Sequence, residues 1–211
     1  MRTLTSPKAL EKLSPWSICG DSVTTQHGRK IDMSDKKKYY DYTHIHEMVN
    51  NISFQMFKDN WRPDYIVGLT RGGLVPAVYM SNSLNIPMET LKVSLRDGAG
   101  GESNGWMAED AFGYVDDGFK EEPRWNVSEQ KNILILDDIN DTGATLDWII
   151  QDWQSSCLPN HPRWKDVWGN NVRFAVLIDN LSSKFSRKVN YYAEEINKAE
   201  DNAWIVYPWE R

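Results

Sequence analysis

Cysteine is scarce in this chain of 211 residues, which contains only Cys19 and Cys157. Two cysteines are too few for a disulfide framework, so we expect a protein of the reducing cytosol. No apolar run reaches the length of a membrane span, and Met1–Gly20 lacks the apolar core of a signal peptide. We therefore expect a cytoplasmic protein with no membrane partner.

The chain has fewer basic than acidic residues, with 24 Lys and Arg and 30 Asp and Glu, which gives a net charge of −6. Proteins that bind nucleic acid generally present a basic face, so we expect no nucleic-acid partner. A basic run, Lys36–Lys38, is interpreted as a solvated surface, with the steering of phosphate groups as the alternative.

The length fits one domain with a small appendage. Residues 1–40 are polar and interrupted by proline and glycine, which predicts an N-terminal extension of short irregular elements before a domain over 41–211. Residues 96–130 are rich in glycine and acidic residues. Connections of this length are usually lids or disordered segments, so a flexible loop is predicted there, with part of it forming a hairpin.

The chain is organised around Lys131–Leu146, which reads KNILILDDINDTGATL. An uninterrupted branched apolar run, Ile133–Leu136, predicts a strand of a parallel sheet that is buried on both faces. Asp137 and Asp138 follow at its carboxyl end, where open α/β sheets bind ligands. The turn Asp141–Gly143 then leads into an amphipathic helix, whose first amide groups form a cradle suited to a phosphate. The buried face of that helix is predicted to carry Leu146, Ile149, Ile150, Trp153 and Cys157.

A second strand-to-helix turn lies earlier in the chain. Tyr65–Leu69 is predicted as a buried strand, Thr70-Arg71-Gly72-Gly73 as a turn, and Leu74–Leu84 as a helix. Paired glycines allow the backbone to approach a ligand closely, whereas the alternative interpretation is a tight packing turn. Further strands are predicted over 88–95, 172–178, 189–192 and 203–207.

The segment ILILDDINDTGATL resembles the phosphoribosyl-pyrophosphate (PRPP) loop of the type I phosphoribosyltransferases. Asp141 resembles the variant of this loop in the 6-oxopurine enzymes, which act on hypoxanthine, guanine or xanthine. The segment GLTRGGLVPA resembles the pyrophosphate loop of the same family, in which a cis peptide bond would fall at Thr70–Arg71. The resemblance implies an α/β fold with a mostly parallel central sheet flanked by helices. It also implies a small hood over 181–211 and a long mobile catalytic loop over 96–130.

The resemblance implies a role for each part of these loops. Asp137 and Asp138 would bind the ribose hydroxyls and help to hold Mg²⁺, and Asp141 would act as general base near the purine N7. A lid would exclude water from the reactive sugar cation. The 5-phosphate would contact Asp141, Thr142, Gly143, Ala144 and Thr145, and the pyrophosphate would contact Thr70, Arg71, Gly72 and Gly73.

The end of the chain, WIVYPWER, resembles the base pocket of bacterial xanthine-guanine enzymes, which places the purine against Trp204 and Ile205. The 6-oxopurine enzymes commonly carry a lysine against the purine oxygen, just past the strand predicted over 172–178. Asp179 and Asn180 occupy that region here, and the nearest basic residue is Lys184. The sequence thus departs from the family pattern at the position that would contact the purine oxygen.

The expected function is that of an enzyme, a glycosyltransferase of the pentosyltransferase type. It would transfer the 5-phosphoribosyl group from PRPP to N9 of a 6-oxopurine in purine salvage, giving a nucleoside monophosphate and pyrophosphate. Val206 cannot hydrogen-bond to a C2 substituent through its side chain, so hypoxanthine and guanine are ranked above xanthine. A homo-oligomer, dimer or tetramer, is expected. The alternatives are a PRPP-sensing regulator that binds nucleic acid, and a phosphoribosyltransferase for another base.

Overall fold

A six-stranded sheet forms the centre of the molecule. The computed structural model describes residues 17–19, 22–24, 30–32, 36–94, 100–101, 105–115 and 124–210. The strands of the sheet are β5 (Tyr65–Thr70), β6 (Met88–Ser94), β7 (Gly100–Gly101), β10 (Ile133–Asn140), β11 (Val172–Asn180) and β12 (Tyr191–Ile196). Their order is β12-β11-β10-β5-β6-β7, and all neighbours are parallel except the edge pair β6 and β7. This mostly parallel sheet confirms the predicted fold class.

Helices cover both faces of the sheet, and the central strand β10 supplies side chains to both cores. Ile133 and Ile135 pack into one core, whereas Leu134 and Leu136 pack into the other, and all four side chains are fully buried. This alternation follows from the period of two in a strand, and it explains the unbroken apolar run. The helices are α1 (Tyr42–Lys58) and α2 (Leu74–Leu84) on one face, and α3 (Gly105–Phe112), α4 (Ala144–Ser156) and α5 (Trp164–Val167) on the other.

Helix α1 begins at a capping box, in which the Asp41 carboxylate accepts from the His44 amide at 3.0 Å. Helix α4 buries Leu146, Ile149, Ile150 and Trp153, as its spacing predicts. The ring of Trp168 packs against Trp153 of this helix, with ring centroids 5.8 Å apart, and stacks on Trp164 at 5.7 Å. None of the helices in the described ranges is long and apolar enough to cross a membrane.

The region predicted as one long flexible loop contains regular structure. Within 96–130 the structure places β7, α3, an antiparallel pair formed by β8 (Tyr114–Val115) and β9 (Arg124–Trp125), and a short 3₁₀ turn over Val127–Glu129. Helix α3 packs into the core through Met107, Ala108, Ala111 and Phe112. These residues have helical spacing, which the surrounding glycines obscured. Residues 96–99, 102–104 and 116–123 of the predicted loop lie outside the described residues.

The start and the end of the described domain are joined. Strand β4 (Lys37–Tyr39) pairs in parallel with β13 (Trp204–Val206), so a segment assigned to the predicted extension forms a sheet with the hood. Lys36 forms an ion pair with Asp201 before β13, and Lys38 forms one with Glu194 of β12, so two of the three lysines contact carboxylates from the end of the chain. Before β4, strands β1 (Ser17–Cys19), β2 (Ser22–Thr24) and β3 (Lys30–Asp32) form an antiparallel sheet.

Candidate active site

The carboxyl ends of β5 and β10 bring the two predicted loops together. The strands pair up to Gly68 and Leu136, and the chain beyond each strand enters its turn at the same edge of the sheet. A Cβ atom on Gly72 would lie 2.1 Å from Oδ2 of Asp138, and one on Gly73 would lie 2.3 Å from the carbonyl oxygen of Leu136. Glycine is therefore required because the turn packs directly on the end of β10. The predicted cis peptide bond at Thr70–Arg71 is confirmed.

Asp137 and Asp138 are half-buried neighbours within β10, because the strand continues to Asn140 and does not end at Leu136 as predicted. Both carboxyl groups resist ionisation. Burial raises the pKa of Asp137 well above its usual range, and the charge of Asp138 raises it further. Burial also raises the pKa of Asp138, to about 6, although hydrogen bonds with Asp137 and with the Ile139 amide act in the opposite direction. Within the described part of the chain, neither carboxylate has an ion pair with Lys or Arg. The pair is therefore an uncompensated acidic site.

This acidic site should cost stability at neutral pH. Each raised pKa means that the folded state binds more protons than the unfolded state above pH ~4, so stability falls as pH rises from ~4 to beyond 6. The double variant Asp137→Asn/Asp138→Asn should be ~1–3 kcal/mol more stable than the wild type at pH 7.5. The difference should vanish near pH 4. Thermal unfolding in a chelating buffer at several pH values measures it, and a pH-independent difference would contradict the assigned cause.

The predicted phosphate loop joins β10 to α4. Gly143 has a φ of +88°, in the left-handed region, and the Thr142 hydroxyl accepts at 3.3 Å from the Ala144 amide at the start of the helix that follows. A segment beyond β11 covers this loop, because the Lys184 amide donates to the Thr142 carbonyl oxygen at 3.1 Å. A Cβ atom on Gly143 would lie 2.3 Å from the Phe185 nitrogen. Backbone conformation and close approach therefore both require glycine at this position.

Replacing Gly143 with Ala should displace the segment that carries Lys184 and Phe185. Alanine at this φ costs ~1–2 kcal/mol before the overlap with Phe185 is counted, so the melting temperature should fall. A misplaced phosphate loop should raise the KM for its ligand tenfold or more. Gly105→Ala is the matched control, because nothing lies within 4 Å of its added Cβ and alanine favours a helix. Equal effects from the two variants would rule out the close approach as the cause.

Asp141 lies in a pocket of about 620 Å³ beside this loop, where it forms an ion pair with Lys198 at 2.9 Å. The Lys198 side chain is only 16% exposed, although it comes from the polar turn between β12 and β13. Asn180, at the end of β11, donates to the Asp141 carbonyl oxygen at 2.8 Å. The pocket is lined by Asp141, Thr142, Asn180, Ser182, Lys184, Lys198, Asn202, Ala203 and Trp204.

Sequence reasoning missed Lys198, because its segment has neither periodicity nor a recognisable motif. Asp179, which stands where a lysine was expected, accepts from the Asn140 amide at 2.8 Å and is not among the pocket residues. Lys184 lies at the pocket with its side chain exposed. The structure thus brings an ammonium group to Asp141 from a different part of the chain.

The two predicted base-binding residues occupy different positions. Trp204 is 56% exposed and lines the pocket, whereas the Ile205 side chain is buried in the core. The backbone N–H of Trp204 donates to the Lys36 carbonyl oxygen at 2.7 Å. The Val206 carbonyl oxygen accepts from the backbone N–H of Tyr40 at 3.1 Å. Because alternate residues of a parallel strand bond to its neighbour, the N–H and C=O groups of Ile205 point away from β4.

This chain is similar to several known proteins in sequence and in fold. The family model described as phosphoribosyl transferase domain matches residues 36–210. A hypoxanthine-guanine phosphoribosyltransferase of Schizosaccharomyces pombe is 24% identical, over 84% of this chain and 91% of its own length. A xanthine phosphoribosyltransferase of Saccharomyces cerevisiae is 21% identical, over 83% and 90%. The structure of a xanthine-guanine-hypoxanthine phosphoribosyltransferase from Helicobacter pylori aligns with a TM-score of 0.56 at 16% identity, covering 82% of this chain and 93% of its own.

Proposed function

Because this chain belongs to the phosphoribosyl transferase domain family, we propose that it transfers the 5-phosphoribosyl group from PRPP to N9 of a 6-oxopurine. The products are a nucleoside monophosphate and pyrophosphate, as in purine salvage. One observation carries the proposal: the carboxylate of Asp141 and the ammonium of Lys198 lie 2.9 Å apart in a pocket beside the phosphate loop. The names of the relatives support a 6-oxopurine as the acceptor.

The proposed binding mode of PRPP follows the edge of the sheet. The amide groups and hydroxyls of residues 141–145 bind the 5-phosphate, because the start of α4 offers backbone donors and a favourable dipole. Arg71 and the turn from Thr70 to Gly73 bind the pyrophosphate. Asp137 and Asp138 then lie beneath the ribose, where their charge stabilises the cationic sugar that forms as the bond to pyrophosphate breaks.

The same two carboxylates suit Mg²⁺. Carboxylate oxygens are the ligands that this ion prefers. A bound cation would also lower the cost of ionising the two neighbouring carboxyl groups. No group of three or more candidate ligand residues occurs in the described ranges, which fits an ion held largely by water and by the phosphate oxygens of the substrate. When bound, Mg²⁺ would neutralise charge that develops on the leaving pyrophosphate. Asp137 and Asp138 are the residues that would hold it.

The base is proposed to enter the pocket with one face on Trp204. Asp141 accepts or relays the proton at N7, while Lys198, which can only donate, binds the exocyclic oxygen at C6. Lys198 thus takes the role for which the sequence offered no residue. At the C2 side the Ile205 backbone faces away from β4, and its carbonyl oxygen is the proposed acceptor for an amino group at C2. A cytoplasmic location, the absence of a nucleic-acid partner and assembly into a dimer or tetramer remain predictions.

Lys198→Met should separate base recognition from PRPP binding. Loss of a hydrogen bond from a charged donor costs ~1.5–3 kcal/mol, so kcat/KM for a 6-oxopurine should fall ~10–100-fold. The KM for PRPP should stay within about twofold, because its binding groups are untouched. Lys184→Met is the matched control, since that lysine lies at the same pocket but has no ion pair with Asp141. Equal losses in the two variants would contradict the role of Lys198.

The experiment that tests the proposed function is pyrophosphate release from PRPP and Mg²⁺ with hypoxanthine, guanine, xanthine, adenine, uracil or orotate supplied singly. Release is expected with the 6-oxopurines. It should be at background with adenine, because its 6-amino group would place a donor against Lys198, and with uracil and orotate, because a pyrimidine has no N7 to meet Asp141. Release with adenine or a pyrimidine alone would refute the assignment of the base.

A further inference from the structure

Asn180 connects three segments of the pocket through one buried amide. It is the last residue of β11 and only 5% exposed. Its Nδ2 donates to the Asp141 carbonyl oxygen at 2.8 Å and lies 3.4 Å from the carboxylate oxygen of the same residue. Its Oδ1 accepts from the Ser182 amide at 3.2 Å, the Ser182 hydroxyl at 2.9 Å and the Lys198 amide at 3.0 Å.

These three segments are not held together by strand pairing. Asp141 lies in the turn after β10, Ser182 follows β11, and Lys198 follows β12, so each has left the sheet before it reaches the pocket. A side chain that joins them must donate to one segment while it accepts from the others. Asparagine does this, whereas a carboxylate can only accept and an apolar side chain does neither.

We propose that Asn180 is a positioning residue, which fixes the Asp141 carboxylate and the Lys198 ammonium in the geometry that receives the base. The inference rests on the proposed function and adds a residue to its site. Asn180 need not touch the substrate. It acts through Asp141 and Lys198, whose 2.9 Å separation depends on the relative placement of two turns from different strands. A displacement of about 1 Å in such a pair is enough to lose much of its effect on the reaction.

Asn180→Ala is the first test, with Asn171→Ala as its matched control. Asn171 is also a buried asparagine, it lies just before the other end of β11, and its amide donates to two carbonyl oxygens at 2.9 Å. Both variants should lower the melting temperature. Asn180→Ala alone should lower kcat with a 6-oxopurine about tenfold, as for loss of a buried hydrogen-bonding group, while the KM for PRPP stays within about twofold.

A second readout does not depend on turnover. Lys198 should be labelled slowly by acetic anhydride in the wild type, since its ammonium is largely buried in an ion pair. Labelling of Lys198, followed by mass spectrometry, should accelerate severalfold in Asn180→Ala and remain unchanged in Asn171→Ala. If Asn180→Ala does not fold, Asn180→Asp takes its place, because it keeps the shape and the acceptors but cannot donate to Asp141.

The double variant Asn180→Ala/Lys198→Met tests whether Asn180 acts by positioning the ion pair or by stabilising the pocket as a whole. If Asn180 acts by setting the Asp141–Lys198 ion pair, which Lys198→Met already breaks, the double variant should lose little more kcat/KM for a 6-oxopurine than Lys198→Met alone. Additive losses, or unchanged Lys198 labelling in Asn180→Ala, would overturn the proposal. A wild type that turns over no 6-oxopurine would refute the proposed function instead, and the labelling result would still decide whether Asn180 holds Lys198.

Discussion

Replacing Asp137 and Asp138 together with Asn is expected to lower kcat/KM for PRPP by ~10²–10³-fold or more, the range for loss of one preorganised electrostatic group in an active site. The two carboxylates lie in the second half of β10 and have no ion pair with Lys or Arg in the described chain, so their negative charge is not neutralised there. Asparagine keeps their size and most of their acceptors. The loss should therefore come from charge and not from packing.

The same variant provides its own control for folding. Because ionising the buried pair is costly, the double variant should be more stable than the wild type at neutral pH. A protein that gains stability and loses activity cannot have lost it by unfolding, and such trade-offs are common at functional sites. Turnover with PRPP at the wild-type rate in the double variant would refute the assignment of these residues to the ribose.

Asp141→Ala is expected to lower kcat ~10²-fold or more, as for loss of an acid–base group, with little change in the KM for PRPP. The amide groups that follow it at the start of α4 remain in place. The variant also leaves Lys198 largely buried without its partner, so part of the loss reflects an uncompensated charge. Asp141→Asn separates the two effects, because its amide oxygen can still accept from Lys198 but cannot take a proton from the base.

Asp147→Asn serves as the control for Asp141. Asp147 is also an acidic residue near the start of α4, but its carboxylate accepts from the Ser186 amide and it is not among the pocket residues. Its kcat should stay near the wild-type value. If Asp141→Ala affects only the KM for PRPP, then Asp141 belongs to the phosphate site and the general base lies elsewhere.

The parts of the site that were predictable from the sequence are local. The apolar run Ile133–Leu136, the acids that follow it and the helix after Gly143 are adjacent in the chain, and each has a strong pattern of its own. The second strand and its glycine turn share these properties. Since parallel strands bring their carboxyl ends to one edge, two local patterns were enough to place both loops side by side.

The parts that were not predictable depend on contacts between distant segments. Lys198 lies in a polar turn, and only the strand order β10-β11-β12 brings that turn to Asp141. The pairing of β4 with β13 is equally remote. The sequence does not show that Lys36 and Lys38 have carboxylate partners more than 150 residues away. Gly72 and Gly73 illustrate a third case. Their sequence allowed either a ligand or a packing contact, and the described contacts are with the end of β10.

The measurement that tests the central claim most directly is a competition of hypoxanthine, guanine, xanthine and adenine, at equal concentrations, for limiting PRPP, with the nucleotide products quantified. We expect the 5′-monophosphates of hypoxanthine and guanine to dominate, less product from xanthine and none from adenine. A clear preference for xanthine would contradict the placement of Trp204 and Ile205 at the base. Adenosine monophosphate as the main product, or no nucleotide at all, would contradict the proposed function itself.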